Sequence, residues 1–253
     1  MIVYFSGTGN SRFVAEKIAE QAGHGLFDAA LGMREEEGKM FPEDDCFVFV
    51  CPVYVSAPVL PFLEFIKRSA FPEGSRAYFV MTCAGGMGAS PIYCQRMAEE
   101  KGLRYMGTAS VRMPQNYVPF FRMLPEEETR ERIRDALPVI SRISENILQS
   151  KRLPAAKIRS WEKAATGAIL RLYYRRFMSP KPFRSTESCI HCGRCERVCP
   201  MGNIRLKEGR PAWGKRCIHC MACINLCSAE AVEYGRWTRG KLRFHGPEHY
   251  IHR

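Results

Sequence analysis

No stretch of the 253-residue chain stays apolar for long. The longest nearly unbroken run, Phe47 to Ala57, falls well short of the roughly 20 residues that a bilayer-spanning helix needs, so no transmembrane segment is expected. A basic leader with a small-residue cleavage site is also missing, because Met1 leads directly into Ile2-Val3-Tyr4-Phe5. Secretion is therefore not expected, and the chain reads as cytoplasmic. Acidic residues are scarce: 26 Asp and Glu face 38 Lys and Arg, and the resulting +12 favours anionic or acidic partners. A Gly-Lys-Ser/Thr P-loop, a nucleic-acid-binding module and an acid–base constellation are all absent. Nucleic acid is thus not an expected partner, and no catalytic residue is assigned. With 46% hydrophobic and 25% charged residues, disorder is excluded too.

Cysteine is what the chain has in excess. Of the 12 cysteines, Cys46, Cys51, Cys83 and Cys94 scatter through the first half and read as small buried hydrophobes. The other eight form a duplicated C-x2-C-x2-C-x3-C pattern. The first copy is Cys189, Cys192, Cys195 and Cys199, followed by Pro200; the second is Cys217, Cys220, Cys223 and Cys227, followed by Ser228. Three thiolates at this spacing wrap one face of a [4Fe–4S] cubane, while the fourth reaches the neighbouring cluster. The expected ligand sets are therefore Cys189, Cys192, Cys195 and Cys227 for one cluster, and Cys217, Cys220, Cys223 and Cys199 for the other. Structural zinc is the competing reading, but zinc sites usually show two separated pairs rather than a run of four. His191 and His219 sit inside the loops. They read as residues that hydrogen-bond or shield a cluster, with iron ligation as the alternative.

The first 150 residues alternate between strand and helix patterns. Strands are expected over Met1–Phe5, Gly25–Leu31, Cys46–Val53, Ala77–Cys83 and Leu103–Val111. Helices are expected over Ser11–Gln21, Pro61–Arg68, Pro91–Lys101 and Glu126–Ser150, the last having to tolerate Pro138. Such alternation predicts an α/β fold with a doubly wound, five-stranded parallel sheet. Ser6-Gly7-Thr8-Gly9-Asn10-Ser11 follows the first strand and opens the first helix. Its glycines, hydroxyls and helix dipole suit a terminal monophosphate. Residues 150–180 form a basic linker in which Ile158, Trp161, Ala165, Ala168 and Leu172 recur at helical spacing.

The N-terminal half resembles a flavodoxin, whose FMN phosphate sits in such a loop. That resemblance implies further FMN contacts from Pro52, Val53, Tyr54, Val55, Ser56 and Ala57 after the third strand. It implies others from Cys83, Ala84, Gly85, Gly86, Met87 and Gly88 after the fourth. Tyr54 reads as a stacking ring or as a rim aromatic. The segment Met113–Arg122 reads as a flap whose Asn116 and Tyr117 reach the flavin or a substrate, or as a core plug under the long helix.

The C-terminal half resembles a bacterial-type two-cluster ferredoxin, from which Ser228 departs where that family repeats the proline. Together the halves resemble the fused flavodoxin–ferredoxin proteins of anaerobes. The implied domains are a flavodoxin-like FMN-binding unit (1–149), the basic linker (150–180), a small α+β two-cluster ferredoxin unit (181–235) and a basic tail (236–253), expected to pack on the ferredoxin unit. The implied cofactors are FMN and two [4Fe–4S] clusters. The implied role is electron transfer between the clusters, the flavin and a redox partner with an acidic docking surface. The alternative is a ferredoxin-dependent flavin reductase acting on a small organic acceptor.

Overall fold

The computed structural model describes residues 1–155, 158 and 178–251. Most of the basic linker lies outside the described residues, as do Trp161, Ala165, Ala168 and Leu172 of its expected helix. Among the described residues, no helix is long and apolar enough to cross a membrane.

Alternation along the two central strands builds the first unit. In β3 (Cys46–Tyr54), Val48 and Val50 point to one face of the sheet, and Phe47, Phe49 and Cys51 point to the other. In β5 (Arg76–Cys83), Tyr78 and Val80 oppose Ala77, Phe79 and Met81 in the same way. A strand apolar on both sides must be covered on both. Helices α1 (Asn10–Ala22) and α5 (Glu126–Leu148) cover one face through Phe13, Val14, Ile18, Ile133, Ile140 and Ile143. Helices α2 (Ala30–Glu35), α3 (Leu60–Arg68) and α4 (Ser90–Glu100) cover the other through Met33, Phe62, Phe65, Ile66 and Met97. Burying each such side chain contributes about 1.5–3 kcal/mol.

With β1 (Ile2–Tyr4), β2 (Leu26–Asp28) and β6 (Arg104–Arg112), the strand order is β2-β1-β3-β5-β6, all parallel. This is the smaller doubly wound order of flavodoxin-like folds, reversing direction between β1 and β3. Two details depart from the expected strands. A sixth, two-residue strand, β4 (Ala57–Pro58), turns back antiparallel onto β3. The expected strand Gly25–Leu31 stops at Asp28, because the Asp28 carboxylate accepts the Ala30 N–H (2.9 Å) and starts α2.

The second unit is small. An antiparallel pair, β7 (Phe183–Ser185) with β10 (Val232–Tyr234), flanks a hairpin of β8 (Ile204–Lys207) and β9 (Arg210–Trp213). Glu208 (φ 49°) and Gly209 (φ 77°) form the tight turn, as a two-residue hairpin requires. One-turn helices over Arg194–Arg197 and Ala222–Asn225 carry the third cysteine of each copy. The repeat is also visible in the backbone. His191 and His219 are both left-handed (φ 56° and 53°), as are Gly193 and Met221 (φ 70° and 60°).

Two segments lock the units together. Val118 and Met123, from the stretch after β6, are buried in the core of the second unit with Phe183, Ile204, Ile224 and Val232. The tail begins on the second unit, where Arg243 pairs with Glu233 (3.0 Å) and both are buried. It then crosses to the first unit, and Phe244 and Tyr250 join the core beneath α1 and α5. The tail thus packs on both units rather than on the second alone.

The β5–β6 register shifts beside Tyr78, whose partner Gly107 has φ 117°. A Cβ at Gly107 would lie 2.9 Å from the Leu153 Cβ. Gly107→Ala is expected to cost about 1–3 kcal/mol, through left-handed strain and overpacking. Urea unfolding checks this; an unchanged midpoint would refute the bulge argument.

Candidate functional site

The carboxyl ends of β1, β3, β5 and β6 open into a cavity of about 680 Å³, where ligands of open α/β sheets bind. Its lining includes Ser6, Gly7, Thr8, Asn10 and Ser11 from the first loop, and Pro52, Val53, Tyr54, Val55 and Ser56 from the second. Cys83, Ala84, Gly85 and Gly86 line it from the third loop, and Asn116 and Tyr117 from the segment after β6. Four expected members do not line it. Gly9 caps α1 from behind, Ala57 is paired in β4, and Met87 and Gly88 lead into α4.

Thr82, Pro114, Gln115, Phe120, Phe121, Met178 and His219 line it without having been singled out for it. Thr82 was findable, since it sits one residue before the end of β5. Met178 and His219 arrive only through the tertiary fold.

The first loop fits a phosphate. No side chain caps α1, and no acidic residue lies in its first turn. The N–H groups of that turn therefore keep their capacity for an anion. Three hydroxyls surround them. Ser6 Oγ accepts the Gly9 N–H (3.1 Å), Thr8 Oγ1 accepts Asn116 Nδ2 (2.6 Å), and Ser11 Oγ meets Thr82 Oγ1 (2.7 Å).

The second loop is strained. Val55 and Ser56 are consecutive left-handed residues (φ 51° and 63°), costing of order 1–3 kcal/mol each. The Ala89 N–H, donating to Ser56 O (2.8 Å), and the close packing of Gly88 on Ser56 hold them there.

Two smaller cavities lie in the second unit. Cys189, Cys192, Cys195 and Cys227 line one; Cys199, Cys217, Cys220 and Cys223 line the other. Within each cavity, three cysteines come from one copy and the fourth from the other. Among the described residues, no group of three or more His, Cys, Asp or Glu converges on a single-ion position. Each cavity is lined by four cysteines, the ligand number of a [4Fe–4S] cubane.

The two sets differ in environment. Burial pushes the Cys217 thiol up to about 11 and raises Cys220 and Cys223 further. The ligand form is the thiolate, so something at the site must offset that desolvation. A backbone donor supplies part of it at Cys217, whose Sγ accepts the His219 N–H (3.4 Å). An iron core would supply the rest. In the other set Cys192 is exposed.

The buried set abuts the first loop. A Cβ at Gly7 would lie 2.7 Å from the Cys220 Cβ, so only glycine admits this approach. His219 is buried, and desolvation lowers its pKa, which favours a neutral ring. Its Nε2–H donates to Ser179 O (3.0 Å), leaving Nδ1 to accept the Tyr117 hydroxyl (3.1 Å). Both ring nitrogens of His219 are thus engaged, while His191 Nδ1 meets Gly209 O (2.9 Å). Asn116 ties the segment to both sides. Its Nδ2 binds Thr8, and its carbonyl accepts Asn225 Nδ2 (2.8 Å). Cys46, Cys51, Cys83 and Cys94 are buried; burial pushes Cys51 up to about 12 and Cys83 up to about 11. Both are protonated thiols at neutral pH.

Gly7→Ala is expected to weaken the seating of the two units by about 1–3 kcal/mol, the usual cost of overpacking. Limited proteolysis and urea unfolding check it. A variant as stable and as protease-resistant as wild type would show that the contact is not limiting.

Residues 180–232 match the 4Fe-4S dicluster domain family. No curated protein matches the chain. Among solved structures, the flavodoxin of Streptococcus pneumoniae TIGR4 is 16% identical, with 59% of this chain and 96% of that one covered and a TM-score of 0.35. The two-electron reduced flavodoxin of Megasphaera elsdenii is 20% identical, covering 44% and 86%, with a TM-score of 0.32. The azoreductase AzrA is 13% identical, covering 58% and 100%, with a TM-score of 0.36. The sheet order, the crossed cysteine cavities and the family match make this chain a flavodoxin-like doubly wound domain joined to a 4Fe–4S dicluster domain.

Proposed function

We propose that this chain is an electron-transfer iron–sulfur flavoprotein. In this reading it holds FMN in the large cavity and two [4Fe–4S] clusters in the crossed cysteine sets, and it exchanges electrons with an external redox protein. The observation that carries the reading is the shared wall between the sites. Gly7 of the phosphate-type loop packs on Cys220, and His219 lies in a cysteine loop while lining the large cavity. When bound, the clusters supply one-electron chemistry and FMN one- or two-electron chemistry.

Each part of the cavity has a role in this reading. Ser6, Thr8, Ser11 and the uncapped N–H groups of α1 bind the terminal phosphate. Gly85 and Gly86, without side chains, let backbone approach the ring edge. Tyr54 and Tyr117 present aromatic surface to the ring. Asn116 holds the flap shut from both sides, which limits water at the site. The expected domain boundaries at 149, 180 and 235 suit this arrangement, although the flap and tail each cross between units.

One observation favours the reductase alternative. Phe120 and Phe121, at the cavity, are 57% and 52% exposed, an apolar lip suited to a planar organic acceptor. Multiple turnovers of one acceptor with reduced ferredoxin as the only protein donor would establish it.

Anaerobic purification is expected to yield about eight irons and about one FMN per chain. A colourless preparation, or one holding zinc instead of iron, would refute the assignment. Thr8→Val removes a hydroxyl and the acceptor for Asn116. It is expected to weaken FMN binding about tenfold, about 1.4 kcal/mol, with iron content unchanged. Flavin fluorescence titration measures the change.

A further inference from the structure

The two cysteine cavities differ in their surroundings. The inner one is walled by Cys220 and Ile218, which pack into the core of the first unit. In the outer one, Ile190, His191, Cys192, Arg194 and Leu206 of the lining are exposed. Of the twelve cysteines only Cys192 is exposed, and it lines this outer cavity. Beside it stand two apolar side chains of the same lining, Ile190 at 63% exposure and Leu206 at 36%. Around this apolar centre, Arg194, Arg197, Arg205 and Lys207 are all exposed.

Over residues 189–210 five cations face two carboxylates. Glu196 is engaged by Arg205 (3.5 Å), and Arg210 is drawn to Glu187 (3.1 Å). Arg194 and Lys207 pair with no carboxylate among the described residues. A small apolar patch inside a basic rim has the anatomy of a transient docking site, with the charge complementarity that steers an acidic partner.

We propose that this face is the docking port for an acidic redox protein, placed over the outer cysteine set. The inference rests on the electron-transfer reading above. It places the contact at Ile190, Leu206 and the cationic rim rather than at the basic linker. The footprint is small, as in the weak encounters of electron carriers, which bury less than about 1,200 Å².

The test measures binding rather than turnover. Holoprotein is titrated calorimetrically with an oxidised two-cluster ferredoxin of net negative charge, at low and high NaCl. Arg205→Glu/Lys207→Glu, both on β8 and outside the cysteine loops, is expected to weaken binding at low salt by at least about tenfold and to flatten the salt dependence. Lys151→Glu/Arg152→Glu, at the start of the linker, is expected to change it less than about twofold.

The proposal is overturned by absent wild-type binding, by an unaffected β8 variant, or by an equal loss in the linker variant. Salt-sensitive binding to phosphatidylserine vesicles in place of the ferredoxin would overturn it as well. Iron content is measured on every sample. Iron missing from wild type strikes at the electron-transfer reading, whereas intact iron with charge-insensitive binding strikes at the port alone. Should the Glu pair fail to hold iron, Arg205→Gln/Lys207→Gln removes the same attraction without reversing it.

Discussion

The contact between Gly7 and Cys220 is the constraint on which the rest of the molecule turns. A loop rich in N–H groups and hydroxyls, at the end of β1, touches a cysteine of the buried set with no side chain between them. Such an approach leaves no room for a mobile interface, and several other contacts hold it. Arg34 of α2 reaches Cys199 O (3.2 Å), and Arg216 pairs with Glu36 (2.9 Å). Met201 and Ile218 from the second unit enter the aromatic core of the first. The two units therefore behave as one folded body, although each has a recognisable pattern of its own.

The small unit illustrates why. Its described chain, from Lys181 to Tyr234, has too few large apolar residues to close a core, and small domains usually need a staple. The staple comes partly from the cysteine sites and partly from outside. Val118 and Met123 are donated from the segment after β6 and buried among Phe183, Ile204 and Val232. Lys241 then fixes that segment from the tail by donating to the carbonyls of Val118 and Pro119 (both 2.9 Å). Residues of Met113–Arg122 thus serve different surroundings, Met113 packing in the core beneath α1 and α5. Asn116 and Tyr117 face the cavity, and Val118 faces the core.

Much of this was legible in the sequence, for identifiable reasons. Apolar runs marked β3 and β5, and the cysteine motif repeated 28 positions apart, at Cys189 and Cys217, announced the crossed cavities. What escaped was signalled by single residues or by tertiary contact. Helix α2 depends on one Asp28 side-chain bond, which an apolar pattern does not record. The Glu208-Gly209 turn lacks the usual Asn or Asp and was not read as a hairpin. His219 gave no sign that it would line the large cavity, because its bond to Tyr117 joins residues 102 positions apart. The tail was expected on the second unit, since nothing local reveals that Phe244 and Tyr250 join the core beneath α1 and α5.

The paired left-handed residues Gly193 and Met221 carry a final consequence. Equivalent positions in a duplicated motif share one backbone shape, but glycine adopts it freely and methionine does not. Met221 is 1% exposed and fills space in the small unit's core, which offsets its strain. The duplicates have therefore become specialists. One copy carries no side chain at this buried position and the other wedges one into the interior, so exchanging the two motifs would leave a void in one and crowd Arg197 and Leu206 in the other.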